Sequence, residues 1–349
     1  MNTRRQTMST IDKTLLTVNL IDGFWDRWLA HGVDKDDLVK IRSSFLTKET
    51  WIKGWEKLAN QKVLEAEKLK QQKNYTEAEL KFRIAGLYYN LIQWLIPERT
   101  EEKINWLIHS LNAFQKADSL SEIRTRYAQI TIDHYPIFGR IRIPSQPVGV
   151  IVIINPIDST KEELFTYEKD FVEKNFATVS FDGPGQGASF TIGGCKATKE
   201  KWKTFIHEVI NYTDSHFSNL PIYLFGTSSG ASWSIYGSCH PKVSKALAVS
   251  PAFPNETIKL PDYFVERLQA ILNPDSDHIL PSFDHLDFRN PIMLVHGKRD
   301  VMVSDQNIYQ LYEQLPVEKC FKEYEEEGHC CNYKLPEIRE LAVSWFQQT

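Results

Sequence analysis

Gly226-Thr227-Ser228-Ser229-Gly230 fits the pattern G-x-S-x-G; it follows the apolar run from Pro221 to Phe225 and opens a small-residue segment at Ala231. Such pentapeptides also occur in Ser/Gly-rich turns. Between a buried strand and a helix, however, the pattern describes a nucleophile elbow, a sharp turn that holds a serine in strained backbone geometry with its hydroxyl exposed. The spacing gives attack to Ser228 and leaves its neighbour Ser229 to donate a backbone N–H. A serine hydroxyl is a weak nucleophile at neutral pH, so a base must reach it and an acid must orient that base. The order Ser, acid, His is the one this arrangement requires. Asp300 follows the apolar run from Pro291 to Val295 through His296-Gly297-Lys298-Arg299, and His329 follows a later run through Glu327-Gly328. Alone, Asp300 reads as a turn or helix-cap residue and His329 as a solvated loop residue. Together, in that order and at strand ends, they complete a catalytic triad of Ser228, Asp300 and His329.

A tetrahedral oxyanion needs a second N–H from the loop after an early strand, here Asn155-Pro156-Ile157-Asp158. Pro156 has no N–H to give, which leaves Ile157 beside Ser229 as the expected donors. The Ser159-Thr160-Lys161-Glu162-Glu163 segment that follows has the Ser/Thr and Glu spacing of a helix start, and capping is preferred to substrate contact as its role. Asp182-Gly183-Pro184-Gly185-Gln186-Gly187 lacks both the G-x-G-x-x-G spacing and a Gly-Lys-Ser/Thr ending, so it reads as a tight loop beside the site rather than a phosphate cradle.

These groups need a scaffold that places strand ends side by side. From about residue 127 the chain alternates short β-branched runs with helical segments. Tyr127–His134 and Ile137–Ile143 suggest an antiparallel pair with Pro136 at the turn. Val148–Ile154, Phe176–Phe181, Pro221–Phe225, Lys245–Val249 and Pro291–Val295 are continuous apolar runs, as strands buried on both faces of a mostly parallel sheet must be. Glu318–Glu325 is more polar and suits an edge. Helices are expected near 161–174, 199–217, 229–239, 303–314 and 336–348. The fold class is therefore α/β, an α/β-hydrolase fold with a mostly parallel sheet flanked by helices, spanning 126–349, with a possible cap insertion at 252–290.

Residues 1–125 have helical periodicity and form an expected all-helical N-terminal cap domain. Ile21, Phe24, Trp25, Trp28 and Leu29 share one stripe; Ile84, Leu87, Tyr88, Leu91, Ile92, Leu95 and Ile96 share a clearer one, with Thr76 and Glu79 as a capping box and Pro97 as the stop. Ile104, Leu107, Ile108, Leu111 and Phe114 mark a third. Trp25, Trp28, Trp51, Trp55, Trp94 and Trp106 crowd this part; interhelical packing accounts for them, and a roof over an active site is the sharper alternative. The helix pairs are similar to tetratricopeptide hairpins, but no fixed repeat period persists.

Composition excludes several classes. With 349 residues, 42% hydrophobic and 25% charged, the chain can bury a large core, and a net charge of −4 offers no basic field for nucleic acid. Cys195, Cys239, Cys320, Cys330 and Cys331 show neither CxxC pairs nor metal-ligand spacing, so no metal, no cofactor and no disulfide framework are implied. Arg4 and Arg5 precede polar sequence with Asp12 and Lys13 rather than a signal core, and no apolar run is long enough to span a membrane. A cytoplasmic location is expected.

Five segments carry a family resemblance: Ser159 to Glu163, Phe181 to Gly187, the Ser228 elbow, His296-Gly297 with Asp300, and Gly328-His329-Cys330-Cys331. Over about residues 127–348 the chain resembles the branch of the α/β-hydrolase superfamily that contains 2,6-dihydroxypseudooxynicotine hydrolase and polyketide-shortening hydrolases of fungi and bacteria. The fermentation-respiration switch protein is a more distant likeness. The resemblance implies triad roles for Ser228, Asp300 and His329, oxyanion roles for Ser229 and Ile157, a homodimer, and cleavage of an acyl group from a β-diketone or polyketide-like small molecule, apolar or aromatic, by carbon–carbon bond hydrolysis. One departure is Asn155-Pro156 where the relatives carry a Gly-Gly pair. Relatives that break carbon–carbon bonds use an extra acid near the cap; Glu256 and Glu266 lie in the corresponding stretch. The alternatives are a carboxylesterase or thioesterase with the same machinery, and a non-catalytic binding protein on the same fold.

Overall fold

Capping side chains start most of the N-terminal helices in the computed structural model, which describes residues 8–256, 258–276, 278–316 and 318–348. Arg4 and Arg5 lie outside the described residues. Ser9 caps α1 (Thr10–Leu20) by accepting the Asp12 N–H. A 3-10 turn at Asp22–Trp25 leads into α2 (Asp26–Ala30), and Asp34 caps α3 (Lys35–Ile41). Thr47 and Thr50 cap each other's backbone at the start of α4 (Lys48–Gln71). The chain then forms α5 (Tyr75–Leu95) and α6 (Glu101–Leu120).

Two expectations for this part change. The stripe from Ile21 to Leu29 is no single helix: Ile21 is exposed between α1 and the 3-10 turn, although Trp25 and Trp28 still share a buried face, three residues apart. The box at Thr76 and Glu79 is replaced by Asn74, whose side chain accepts the Glu77 N–H. The left-handed Lys73 (φ 62°) turns the chain just ahead of Asn74, so the helix starts earlier than the Thr/Glu spacing suggests.

The chain divides into two units. One runs to Leu120 and also takes Leu260–Ile271; the other comprises Ser121–Lys259 and the chain from Leu272 onward. The first division falls where α6 ends at Leu120, ahead of the first strand, rather than at 125/126. Of the 252–290 segment, only the part around one helix, Asp262–Ile271, groups with the helical unit.

In the helical unit, Trp25, Trp28, Trp51 and Trp55 are at most 2% exposed; Trp25, Trp51 and Trp55 pack on one another and on Phe45, with Trp25 stacked on Trp51 at 5.9 Å, and Trp28 meets Trp94 edge-on at 5.4 Å. Interhelical packing therefore accounts for these four. Trp106 is half-buried and stacks on Tyr89 at 6.2 Å. Arg267, on the Asp262–Ile271 helix, is 2% exposed; it lies over the Trp94 ring at 3.9 Å and donates to the Trp94 and Leu95 carbonyls at the end of α5. A cation thus meets the negative end of a helix and satisfies acceptors the helix cannot.

The second unit is built on an eight-stranded sheet among the described residues: β1 (Arg124–Ile132), β2 (Tyr135–Ile143), β3 (Gly149–Ile154), β4 (Phe176–Phe181), β5 (Ile222–Thr227), β6 (Val243–Val249), β7 (Ile292–Gly297) and β8 (Lys319–Tyr324), in the order β1-β2-β4-β3-β5-β6-β7-β8. The first two pairings are antiparallel and the rest parallel. Strands β3, β4, β5 and β7 are buried throughout, consistent with their apolar runs, while β8 is half-buried at the edge. Each fully buried aliphatic side chain in such a layer contributes about 1.5–3 kcal/mol.

The β1–β2 turn is not at Pro136. It is formed by Asp133 and His134, both with positive φ (45° and 63°), while Pro136 lies in β2 opposite Thr131. Two consecutive left-handed residues suit a tight hairpin. Pro136 is tolerated because β4 pairs only with Gly139 to Arg142, so no ladder partner needs the missing N–H.

The sheet is flanked by α7 (Phe165–Glu173), α8 (Gly187–Thr191), α9 (Lys199–His216), α10 (Ser229–Ser238), α12 (Asp305–Gln314) and α13 (Leu335–Gln347), the Asp262–Ile271 helix being α11 in chain order. No described helix is long and apolar enough to cross a membrane.

Candidate active site

Ser228 stands between β5 and α10 with φ 54° and ψ −124°, a conformation that disfavours any side chain. Its N–H donates to the Val249 carbonyl at 2.9 Å, which ties the elbow to the end of β6. Gly230 explains the last position of the motif: a Cβ there would sit 2.1 Å from the Ile154 carbonyl oxygen and 2.8 Å from that of Asn155. Only glycine lets α10 start this close to the end of β3.

The three expected catalytic residues come together. His329 Nε2 is 2.9 Å from Ser228 Oγ, and His329 Nδ1 is 2.8 Å from Asp300 Oδ2. Asp300 Oδ1 accepts the Met302 and Val303 N–H groups at 2.8 and 3.0 Å, so both carboxylate oxygens are engaged. Burial pushes the Asp300 carboxyl up, but His329 and the two backbone donors pull it down by more, and it stays below the usual 3.8. Burial opposes a charged imidazolium at His329; the adjacent Cys330 side chain and the Asp300 carboxylate favour it by more, and its pKa is held well above 6.5. The base is competent only when neutral. The acid limb of kcat/KM is therefore expected to rise with pH through an inflexion above 6.5, readable from a pH–rate series; an inflexion at or below 6.5 would contradict this environment.

Neighbouring strands bring these groups together. Gly297, ending β7, would place a Cβ 2.5 Å from the Glu327 and Gly328 carbonyls, so its lack of a side chain lets the Asp300 and His329 loops touch. His296 is buried, and its Nε2 lies 2.7 Å from Asp305 Oδ1 at the start of α12. Its role is to anchor that helix.

Ser229 and Ile157 lie beside the nucleophile. Ser229 is the first residue of α10, so its N–H is among those a helix leaves without an internal acceptor. The Ile157 N–H points to the elbow and donates to Ser229 Oγ at 2.6 Å. Thr160 accepts the Glu163 N–H, the capping role read from its spacing. Lys161 is buried between Asp182 and Glu162, with 2.8 Å to each carboxylate. Burial alone would lower the lysine pKa; the two carboxylates raise it, so the ammonium persists.

The two acids considered as additional catalysts each have partners of their own. Glu256 accepts from the Ser304 N–H at 3.0 Å and Asn307 Nδ2 at 2.9 Å, fixing the start of α12. Glu266 pairs with Lys13 and Thr10 within the helical unit. A residue that sequence reasoning misses is Ser250. It is fully buried after β6 with φ 48°, and its Oγ accepts the N–H of Cys330, directly after the base. A serine closing an apolar strand is the available signal, but nothing in the order of residues links it to position 330.

A parallel-centred sheet, an elbow serine after β5, an acid after β7 and a histidine after β8 define an α/β-hydrolase fold. Among solved structures it resembles that of 2,6-dihydroxy-pseudo-oxynicotine hydrolase, with a TM-score of 0.78, 22% identity, and 92% of this chain and 94% of that one covered. In sequence it is similar to the 2,6-dihydropseudooxynicotine hydrolase of Paenarthrobacter nicotinovorans, 26% identical over 228 residues, and to the 20-hydroxy-prefusarin hydrolase of Gibberella moniliformis, 23% identical over 238 residues. These alignments take in 64% and 62% of this chain but only 61% and 56% of those relatives. No family model matches the chain.

Proposed function

We propose that the protein is a serine hydrolase that cleaves an acyl group from a β-diketone or polyketide-like small molecule through an acyl-enzyme. The observation that carries this reading is the continuous chain of contacts from Ser228 Oγ through His329 to Asp300. Ser228 Oγ attacks a ketone carbonyl carbon while His329 Nε2 takes its proton, and the carbonyl π electrons move to oxygen. The Ser229 N–H stabilises that oxyanion, joined by the Ile157 N–H once the Ser229 hydroxyl rotates off it. As the C=O bond re-forms, the carbon–carbon bond breaks; its electron pair leaves on an enolate, which His329 protonates at carbon. Water then attacks the acyl-Ser228 ester, giving its proton to His329, and a carboxylic acid departs as Ser228 regains its proton. The two curated relatives are named as hydrolases of 2,6-dihydropseudooxynicotine and of 20-hydroxy-prefusarin, which supports hydrolysis of a small organic molecule.

The test compares hydrolysis of an aryl β-diketone with that of matched aryl esters and thioesters. Diketone cleavage that disappears in Ser228→Ala is expected. Ester turnover with no diketone cleavage would move the protein to the esterases. A folded wild type that neither turns over nor reacts with a fluorophosphonate would favour a binding role.

A further inference from the structure

We infer that Gln186 is a positioning residue for the oxyanion-stabilising N–H of Ile157, a role that rests on the serine-hydrolase reading above. The Pro156 carbonyl and the Ile157 N–H belong to one planar peptide, and in a trans peptide they point in opposite directions. No cis peptide bond occurs among the described residues. Fixing the carbonyl therefore fixes the N–H.

The carbonyl is fixed twice. Gln186 Nε2 donates to the Pro156 oxygen at 2.8 Å and to the Asn155 oxygen at 3.2 Å, and Ser159 Oγ donates to the same Pro156 oxygen at 2.9 Å. Two donors occupy both lone pairs of that oxygen and leave the peptide plane no freedom to rock. The opposite edge of the plane then directs the Ile157 N–H to the elbow, where it meets Ser229 Oγ.

Gln186 cannot turn its amide round. Its Oε1 accepts the Gly183 N–H at 2.9 Å, so the NH2 end must face the two carbonyls, and the side chain is 1% exposed. Ser159 is 3% exposed and Asn155 1%, so these contacts are shielded from bulk solvent. Hydrogen bonds accepted by a carbonyl also polarise its peptide and strengthen the N–H on the other side. The loop from Asp182 to Gly187 thereby serves the chemistry by carrying the glutamine that aims one donor of the oxyanion hole. Asn155-Pro156 fits this scheme, because proline offers only the carbonyl that Gln186 and Ser159 hold.

The test is the rate of fluorophosphonate labelling, its pH dependence, and inhibition by an aryl trifluoromethyl ketone, compared between wild type and Gln186→Met, with folding followed by circular dichroism. Labelling is expected to slow about 10- to 100-fold, because a misaimed donor forfeits part of what deleting one costs. Ketone affinity should fall by a similar factor, and the pH inflexion should not move, since the base is untouched. Wild-type labelling and ketone affinity in folded Gln186→Met overturn the inference, and so does a moved inflexion. If that variant does not fold, Ser159→Ala replaces it: labelling slowed at least about threefold is expected, and a wild-type rate overturns the inference. An unlabelled wild type would instead defeat the underlying serine-hydrolase reading.

Discussion

Ser228→Ala is expected to lower kcat by about 10⁵- to 10⁶-fold and to abolish fluorophosphonate labelling, while the melting temperature holds. The loss is large because the histidine and aspartate have no nucleophile left to activate, and residual rate comes only from oxyanion donors and binding. The backbone gives this experiment a second arm. With φ 54° and ψ −124°, Ser228 occupies a region that any Cβ disfavours, so alanine retains the strain and glycine releases it. Ser228→Gly should be equally inactive yet more stable than Ser228→Ala by about 1 kcal/mol, the strain relieved less the added entropy of an unfolded glycine. Matched denaturation curves for the two variants check this. A Ser228→Gly variant less stable than Ser228→Ala would mean the elbow is unstrained.

Asp300→Asn is expected to cost about 10⁴-fold in kcat. The reason is specific to the contacts at this carboxylate. Oδ1 accepts the Met302 and Val303 N–H groups, so the amide oxygen of an asparagine must stay there and its NH2 must face His329 Nδ1. Nδ1 then has to accept, which puts the imidazole proton on Nε2, the atom that should receive the proton of Ser228. The base is locked in the wrong tautomer although nothing moves. Loss of the carboxylate also removes one influence that raises the His329 pKa, so the residual activity should show its acid limb at lower pH. A pH–rate series on the variant checks both points; activity within tenfold of wild type would show that Asp300 does not orient the base.

Much of this site is legible in the sequence because catalysis imposes order on short segments. The elbow pattern after an apolar strand, an aspartate after the next suitable strand and a late histidine are local signals, and together they identify all three residues found in contact. The buried strands are legible for a similar reason: apolar runs in a two-sided sheet have no alternative environment. What escapes depends on hydrogen bonds between segments distant in the chain. Gln186 holds carbonyls 30 and 31 residues away, and Ser250 holds an N–H 80 residues away. No periodicity reports such partners. The misread local features, at Pro136, Thr76 and Ile21, share another cause. Each is a plausible turn, cap or stripe residue displaced by a neighbour with stronger claims: the Asp133–His134 pair, Asn74, and the 3-10 turn after α1.

The order in which the triad residues occur also has a temporal consequence. His329 lies 101 residues after Ser228 in the chain and is borne on the loop that follows the edge strand β8. A ribosome working at about 5–20 residues per second releases the serine roughly 5–20 s before the histidine. Until then the elbow has no base. On the proposed reading, the power to transfer acyl groups appears only when this edge strand docks, and a nascent or prematurely terminated chain carries a serine without the means to activate it.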